Sequence, residues 1–116
     1  MTAIPILDEP VKRLMALDQD SVFALADIAN ERLRQIEKEG WSPAHDDAHA
    51  SGQMSKAAAA YALADHSPSS HRSLRPSFWP WGQDWWKPGS LHRNRVRAGA
   101  LLVAELARHL RSAPHS

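Results

Sequence analysis

Residues 66–89 restrict the fold of this chain more than any other stretch. Pro68, Pro76, Pro80 and Pro88 each remove a backbone donor and block a continuous helix, so the helical patterns on either side cannot merge into one rod. They must instead pack across a long connection. Upstream, Val22, Leu25, Ala26, Ala29, Leu33 and Ile36 recur at spacings of three and four, which predicts a helix with that face turned to the core. Ser21 is its expected N-cap. Gly40 is its expected stop, because a left-handed residue ends a helix without strain only where Cβ is missing, and Trp41 then lies over the last turn. A second helix, capped by Asp46, Asp47 or Ser51, is expected to present Met54, Ala57, Ala58, Tyr61 and Ala62. Beyond the connection Ser90 caps a third, with Val96, Gly99, Ala100, Val103, Ala107 and Leu110 on its apolar side.

No alternating strand pattern of useful length and no internal repeat competes with this reading. The predicted fold class is therefore all-α, a small bundle of three main helices with a long Trp/Pro-rich loop between the second and third. Residues 1–18 read as an N-terminal arm and a short helix opened by Pro10. Residues 19–111 read as a single helical domain with a flexible loop at 66–77, and residues 112–116 as a disordered tail. Gly99 and Ala100, with the alanines of the second helix, allow close helix approach within the subunit or across a homo-oligomer.

With 14 Lys and Arg against 13 Asp and Glu, the net charge of +1 gives no global field toward nucleic acid or a membrane. The absence of cysteine excludes a disulfide framework and a thiolate nucleophile, and agrees with a reducing compartment. No basic-then-apolar leader and no run of about 20 apolar residues occurs, so a cytoplasmic protein is expected.

Two constellations could carry chemistry. The first places Trp79, Trp81, Trp85 and Trp86 within ten residues that end at Lys87. Indole faces stack on flat heteroaromatic rings, and the lysine suits a phosphate. The plainer alternative is that these tryptophans plug an alanine-rich core. The second constellation surrounds Trp41 with His45, Asp46, Asp47 and His49. Its residue types suit zinc, but the spacing lacks a third ligand unless Glu31 or His92 supplies it. Helix capping by the aspartates with hydrogen bonding by the histidines is the preferred reading, and no metal, cofactor or catalytic set is assigned. On the first helix Glu31 and Gln35, one turn apart, share a face that can reach the Trp41 side, and Arg34 is counted with them. Arg93 and Arg97 either grip phosphates or pair with the first helix's carboxylates. Together with Tyr61, these sixteen residues form the predicted ligand-binding set.

Read together, Glu31-Arg32-x-Arg34-Gln35, Glu39-Gly40-Trp41, His45-Asp46-Asp47-x-His49, Ala57-Ala58-x-x-Tyr61-Ala62, Trp79-Pro80-Trp81, Trp85-Trp86-Lys87-Pro88 and Arg97-Ala98-Gly99-Ala100-Leu101 with Ala104-Glu105 resemble a widespread set of small phage and prophage proteins, mostly of unassigned function. Members often carry Glu where this chain has Gln53, so a role for that carboxylate does not transfer. The resemblance implies an accessory protein acting in the bacterial cytoplasm against host defence. Residues 28–49 are also similar to the ryanodine-receptor-repeat domain, which implies a nucleotide-derivative ligand between Trp41, His49 and the Trp loop. The expected function is non-catalytic nucleotide binding that sequesters an immune signal. The alternatives are an anti-CRISPR-like inhibitor that binds a host defence protein and a metal-dependent nucleotide pyrophosphohydrolase. The last needs carboxylates on adjacent helices, and the second helix has no Glu.

Overall fold

The computed structural model describes residues 8–64 and 75–112. The expectations for the first part of the N-terminal arm, for residues 66–74 of the loop and for residues 113–116 of the tail lie outside them. Among the described residues the chain is helical and contains no strand. The elements are α1 (Asp8–Leu14), α2 (Gln19–Glu39), α3 (Pro43–Asp47), α4 (Gln53–Leu63), a 3-10 turn (Gln83–Trp85) and α5 (Leu91–Ser112). α2, α3 and α4 all pack on α5, and α1 is not among the helices that do so. Ser112, expected in the tail, completes the last turn of α5.

Several ends follow directly from residue chemistry. Gly40 closes α2 at φ 73°, and Trp41 N–H donates to the Gln35 carbonyl at 3.1 Å. Ser90 Oγ accepts the Arg93 N–H at 3.2 Å at the start of α5. The N-cap of α2 is Asp18 and not Ser21. The Asp18 carboxylate accepts both the Ser21 N–H at 3.0 Å and the Ser21 hydroxyl at 2.6 Å, as a capping aspartate does with the residue three positions on. α3 was not anticipated, although Ser42 followed by Pro43 is a helix-opening pair. Ser42 Oγ accepts the His45 N–H at 3.2 Å, and proline at the first position forfeits no hydrogen bond. Asp46 and Asp47 therefore lie inside α3, and the N-cap of α4 is Gly52, in a left-handed conformation and without a side-chain cap bond, and not Asp46, Asp47 or Ser51.

The core is unusual in what it contains. Met54, Ala57, Ala58, Ala60 and Tyr61 of α4 meet Ala98, Leu101 and Ala104 of α5, and Trp79 and Trp86 fill the volume the small residues leave. Ala62 points outward, and Ala60 takes the place expected for it. The larger departure is α2. Its buried residues are Glu31 and Gln35, each 2 % exposed, whereas Leu25 and Leu33 are 44 % and 52 % exposed. Residues on the periodic apolar face sit nearly half a helical turn from Glu31, so Leu25, Ala26, Ala29 and Leu33 look away from the chain while Val22 and Ile36 are half-buried. In α5 likewise, Val96, Ala100 and Leu101 are buried while Val103 and Leu110 are exposed.

α2 crosses α5 where Ile28 covers Gly99. A Cβ at Gly99 would lie 2.5 Å from Cδ1 and 2.8 Å from Cγ1 of Ile28, which is why glycine is tolerated within this helix despite its low propensity. The crossing resolves the expected small-residue contact at Gly99 as one within the chain. Gly99→Leu should lower stability by about 1–3 kcal/mol through overpacking. Denaturant unfolding of Gly99→Leu alone and with Ile28→Ala checks this, with the second change recovering most of the loss.

Candidate functional site

Glu31 organises the site. Its carboxylate accepts from Arg34 Nε at 2.9 Å, Arg34 Nη2 at 3.0 Å, Arg93 Nη2 at 2.8 Å and Gln35 Nε2 at 3.3 Å. Burial on its own would raise the Glu31 pKa. The hydrogen bonds and charges of Arg34 and Arg93 outweigh it and hold the group down at about 2, from a usual 4.5. The Arg34 guanidinium is held charged by the same bonds and reaches on to Glu39 Oε2 at 3.2 Å.

Around this anchor opens a cavity of about 270 Å³ walled by Trp41, Trp81 and Trp85. Glu31, Arg34, Gln35, Tyr61, Lys87 and Arg97 also border it. On the other side of the same three tryptophans lies a recess of about 210 Å³ closed by His45 and His49. Trp41 stands 6.3 Å from Trp81 and 6.5 Å from Trp85 between ring centroids, both tilted near 47°. His45 lies parallel to Trp41 at 5.9 Å, and His49 meets the edge of Trp81 at 5.5 Å.

The Trp loop is held by Tyr61. Its hydroxyl accepts the Lys87 N–H at 3.1 Å and donates to the Trp85 carbonyl at 3.4 Å, and burial pushes this phenol above its usual pKa. The loop thereby splits into two roles. Trp79 and Trp86 turn in against Tyr61, each 5 % exposed, and the Trp79 indole donates to the Gly82 carbonyl at 3.1 Å. The Trp86 indole N–H is buried without a partner among the described residues. Trp85 turns out and is 53 % exposed, whereas Trp81 is half-buried and packs against the core at the edge of Trp79. The core-filling reading therefore holds for Trp79 and Trp86, while Trp81 and Trp85 border the two cavities.

Of the predicted set, Glu31, Arg34, Gln35, Trp41, Tyr61, Trp79, Trp81, Trp85, Lys87 and Arg97 come together at the larger cavity, and His45 and His49 at the adjoining one. Asp46, Asp47, Trp86 and Arg93 border neither. Asp46, 1 % exposed, is bound by Arg32, and Asp47 pairs with Arg111 of α5 at 2.8 Å. These two aspartates fasten α3 to α2 and α5 and do not cap α4. Arg93 is committed to Glu31, so of its two readings the carboxylate pairing holds. No carboxylate among the described residues pairs with Lys87 or Arg97, although the Arg97 guanidinium donates to the Lys87 carbonyl. Neither distant residue considered as a metal ligand joins the histidines, because Glu31 is enclosed by arginines and His92 contacts Asp27 at 3.0 Å. Sequence reading overlooked Glu39, which borders the larger cavity, and Arg32, whose partner lies fourteen residues away. Only the neighbouring Glu39-Gly40-Trp41 pattern hinted at the former.

Compared with protein-family models, with curated proteins and with solved structures, the chain matches none of them.

The depressed Glu31 pKa sets a pH dependence. A carboxylate of pKa about 2 in the folded state and 4.5 in the unfolded chain contributes its full stabilisation above pH 4.5, and loses it as pH falls toward 2. Glu31→Gln should remove about 3 kcal/mol at neutral pH by taking from Arg93 its carboxylate partner and leaving Arg34 with Glu39 alone, and should flatten that acid dependence. Urea titrations at several pH values measure both effects.

Proposed function

We propose that this chain is a non-catalytic nucleotide-binding protein. In this reading it is a phage accessory protein that acts in the cytoplasm of a bacterial host and sequesters a nucleotide immune signal. The observation that carries the binding step is the wall of Trp41, Trp81 and Trp85 shared by two recesses, one ending in histidines and the other bordered by uncompensated cations. Three indole faces set at angles accept a flat heteroaromatic ring, and His45 and His49 supply ring nitrogens able to donate to or accept from a base edge. Lys87 and Arg97 border the other recess, lie over the rings of Trp85 and Tyr61, and pair with no carboxylate among the described residues, which leaves their charge for a phosphate. Glu31 and Glu39 are offset there, because Arg34 engages both and Arg93 also pairs with Glu31. The phage setting and the defence role rest on the motif resemblance alone.

A second reading draws on the exposure of Trp85 and of Phe78, at 53 % and 41 %. Exposed aromatics anchor protein interfaces, which supports an inhibitor docked on a host defence protein. The concavity of the two recesses favours the small ligand.

Titration calorimetry against mono-, di- and cyclic nucleotides tests the proposal, and the absence of binding across that panel would overturn it. For whichever nucleotide binds, Trp85→Ala should weaken affinity about 5- to 150-fold, the loss of one base–aromatic stack. Lys87→Ala should weaken it and reduce its salt dependence.

A further inference from the structure

The apolar face of α2 looks out from a chain whose own core is small. Leu25, Leu33, Val103, Leu106 and Leu110 are 44, 52, 43, 62 and 58 % exposed, whereas the buried aliphatic side chains larger than alanine are Met54, Val96 and Leu101. These exposed residues form ordered faces. Leu25, Ala29 and Leu33 succeed one another at i, i+4 and i+8 on α2, opposite Glu31 and Gln35. Gly99, Val103, Leu106 and Leu110 form one stripe of α5, which begins beneath Ile28 of α2 and runs on uncovered. α1 carries exposed Val11 and Leu14 and does not pack on α5.

We propose that a second copy of this chain covers the outward face of α2 and the distal stripe of α5, making the protein an obligate homodimer. The area is of the right size. Half-exposed leucines leave on the order of 80 Å² each in water, about 400 Å² for these five side chains, and Ala26 and Ala29 bring the apolar area to about 500 Å², close to the apolar share of the ~800 Å² per partner of a stable interface. The occupant is a second copy because the cover has to be permanent. A chain whose core is mostly alanine and whose leucines are mostly outside gains its apolar burial on association, as an obligate dimer does and a transient partner does not. A two-fold interface also needs one self-complementary patch, and apolar stripes on two neighbouring helices of each copy can cover one another across the axis.

The proposal does not rest on the nucleotide reading, since the cleft borders the opposite side of α2. Sedimentation equilibrium of the full chain between about 1 and 100 µM tests it. The expected mass is twice 12.9 kDa across that range, and Leu33→Lys with Leu106→Lys is expected to shift the protein toward monomer. A wild-type monomer at every concentration overturns the proposal and leaves these faces to another partner. Because the double variant can fail to fold, thiol reactivity gives an independent reading in a chain that has no cysteine. Modification of Leu33→Cys by a bulky maleimide should slow up to about tenfold from the dilute to the concentrated end, as the monomer fraction falls, while Lys56→Cys on the exposed face of α4 reacts at one rate. Equal rates for Leu33→Cys at all concentrations overturn the proposal as well.

Discussion

A carboxylate that is almost wholly removed from water determines how α2 lies on the rest of the chain. Glu31 survives there because Arg34, Gln35 and Arg93 fill its acceptor positions, with Arg93 reaching from α5. Removing an ion pair from water is expensive, and well-packed apolar residues often do as well or better in the same volume. Rotating α2 by about half a turn would present Leu25, Ala29 and Leu33 to α5 instead. The observed orientation keeps the polar edge inside, and it thereby places Glu31, Arg34 and Gln35 along one wall of the cleft. Stability that α2 could draw from its own apolar face is forgone within the chain in favour of a defined polar wall.

That choice shapes the cleft's electrostatics. Arg34 is neutralised by Glu31 and Glu39, Arg93 is drawn away to Glu31, and the cavity's other cations, Lys87 and Arg97, pair with no carboxylate among the described residues. Both lie where the Trp loop returns to α5. Tyr61 fixes that return by gripping the backbone on either side of Trp86, so a core residue of α4 sets the positions of Trp85 and Lys87. The fit of the cleft is thus held by buried hydrogen bonds from a rigid helix, although its aromatic walls come from a loop.

Much of this architecture was legible in the sequence wherever the signal was local. Gly40 and Ser90 mark helix ends through conformational freedom and hydroxyl capping, effects that act within a few residues, and the gathering of Trp41, Tyr61 and the Trp loop follows from aromatic surface too large to leave in water. Where competing local signals exist, the reading went astray. Asp18 and Ser21 can both cap α2, and Asp46 and Asp47 suit an N-cap while Ser42-Pro43 opens a helix that encloses them. The Arg32–Asp46 and Arg93–Glu31 pairs were beyond reach as definite contacts, because charge complementarity between helices does not fix which residues meet. The inverted α2 was illegible for a deeper reason. Periodicity identifies an apolar face and says that something covers it, but it does not say whether the cover belongs to the same chain.

The two faces of α2 also bear on how ligand and association can be linked. Glu31, Gln35 and the cleft lie on one side of this helix, and Leu25, Ala29 and Leu33 on the other. A ligand in the cleft therefore need not touch a partner, and a partner on the outer face need not enter the cleft. Any coupling has to pass through the position of α2 itself, which is pinned by Ile28 on Gly99 and by Arg93 on Glu31. Both contacts are to the first half of α5, which also carries Arg97 at the cleft and begins the stripe that runs on to Leu110. A ligand that draws Arg97 would act on the same helix that a partner covers, and by linkage each would alter the other's affinity by the same factor.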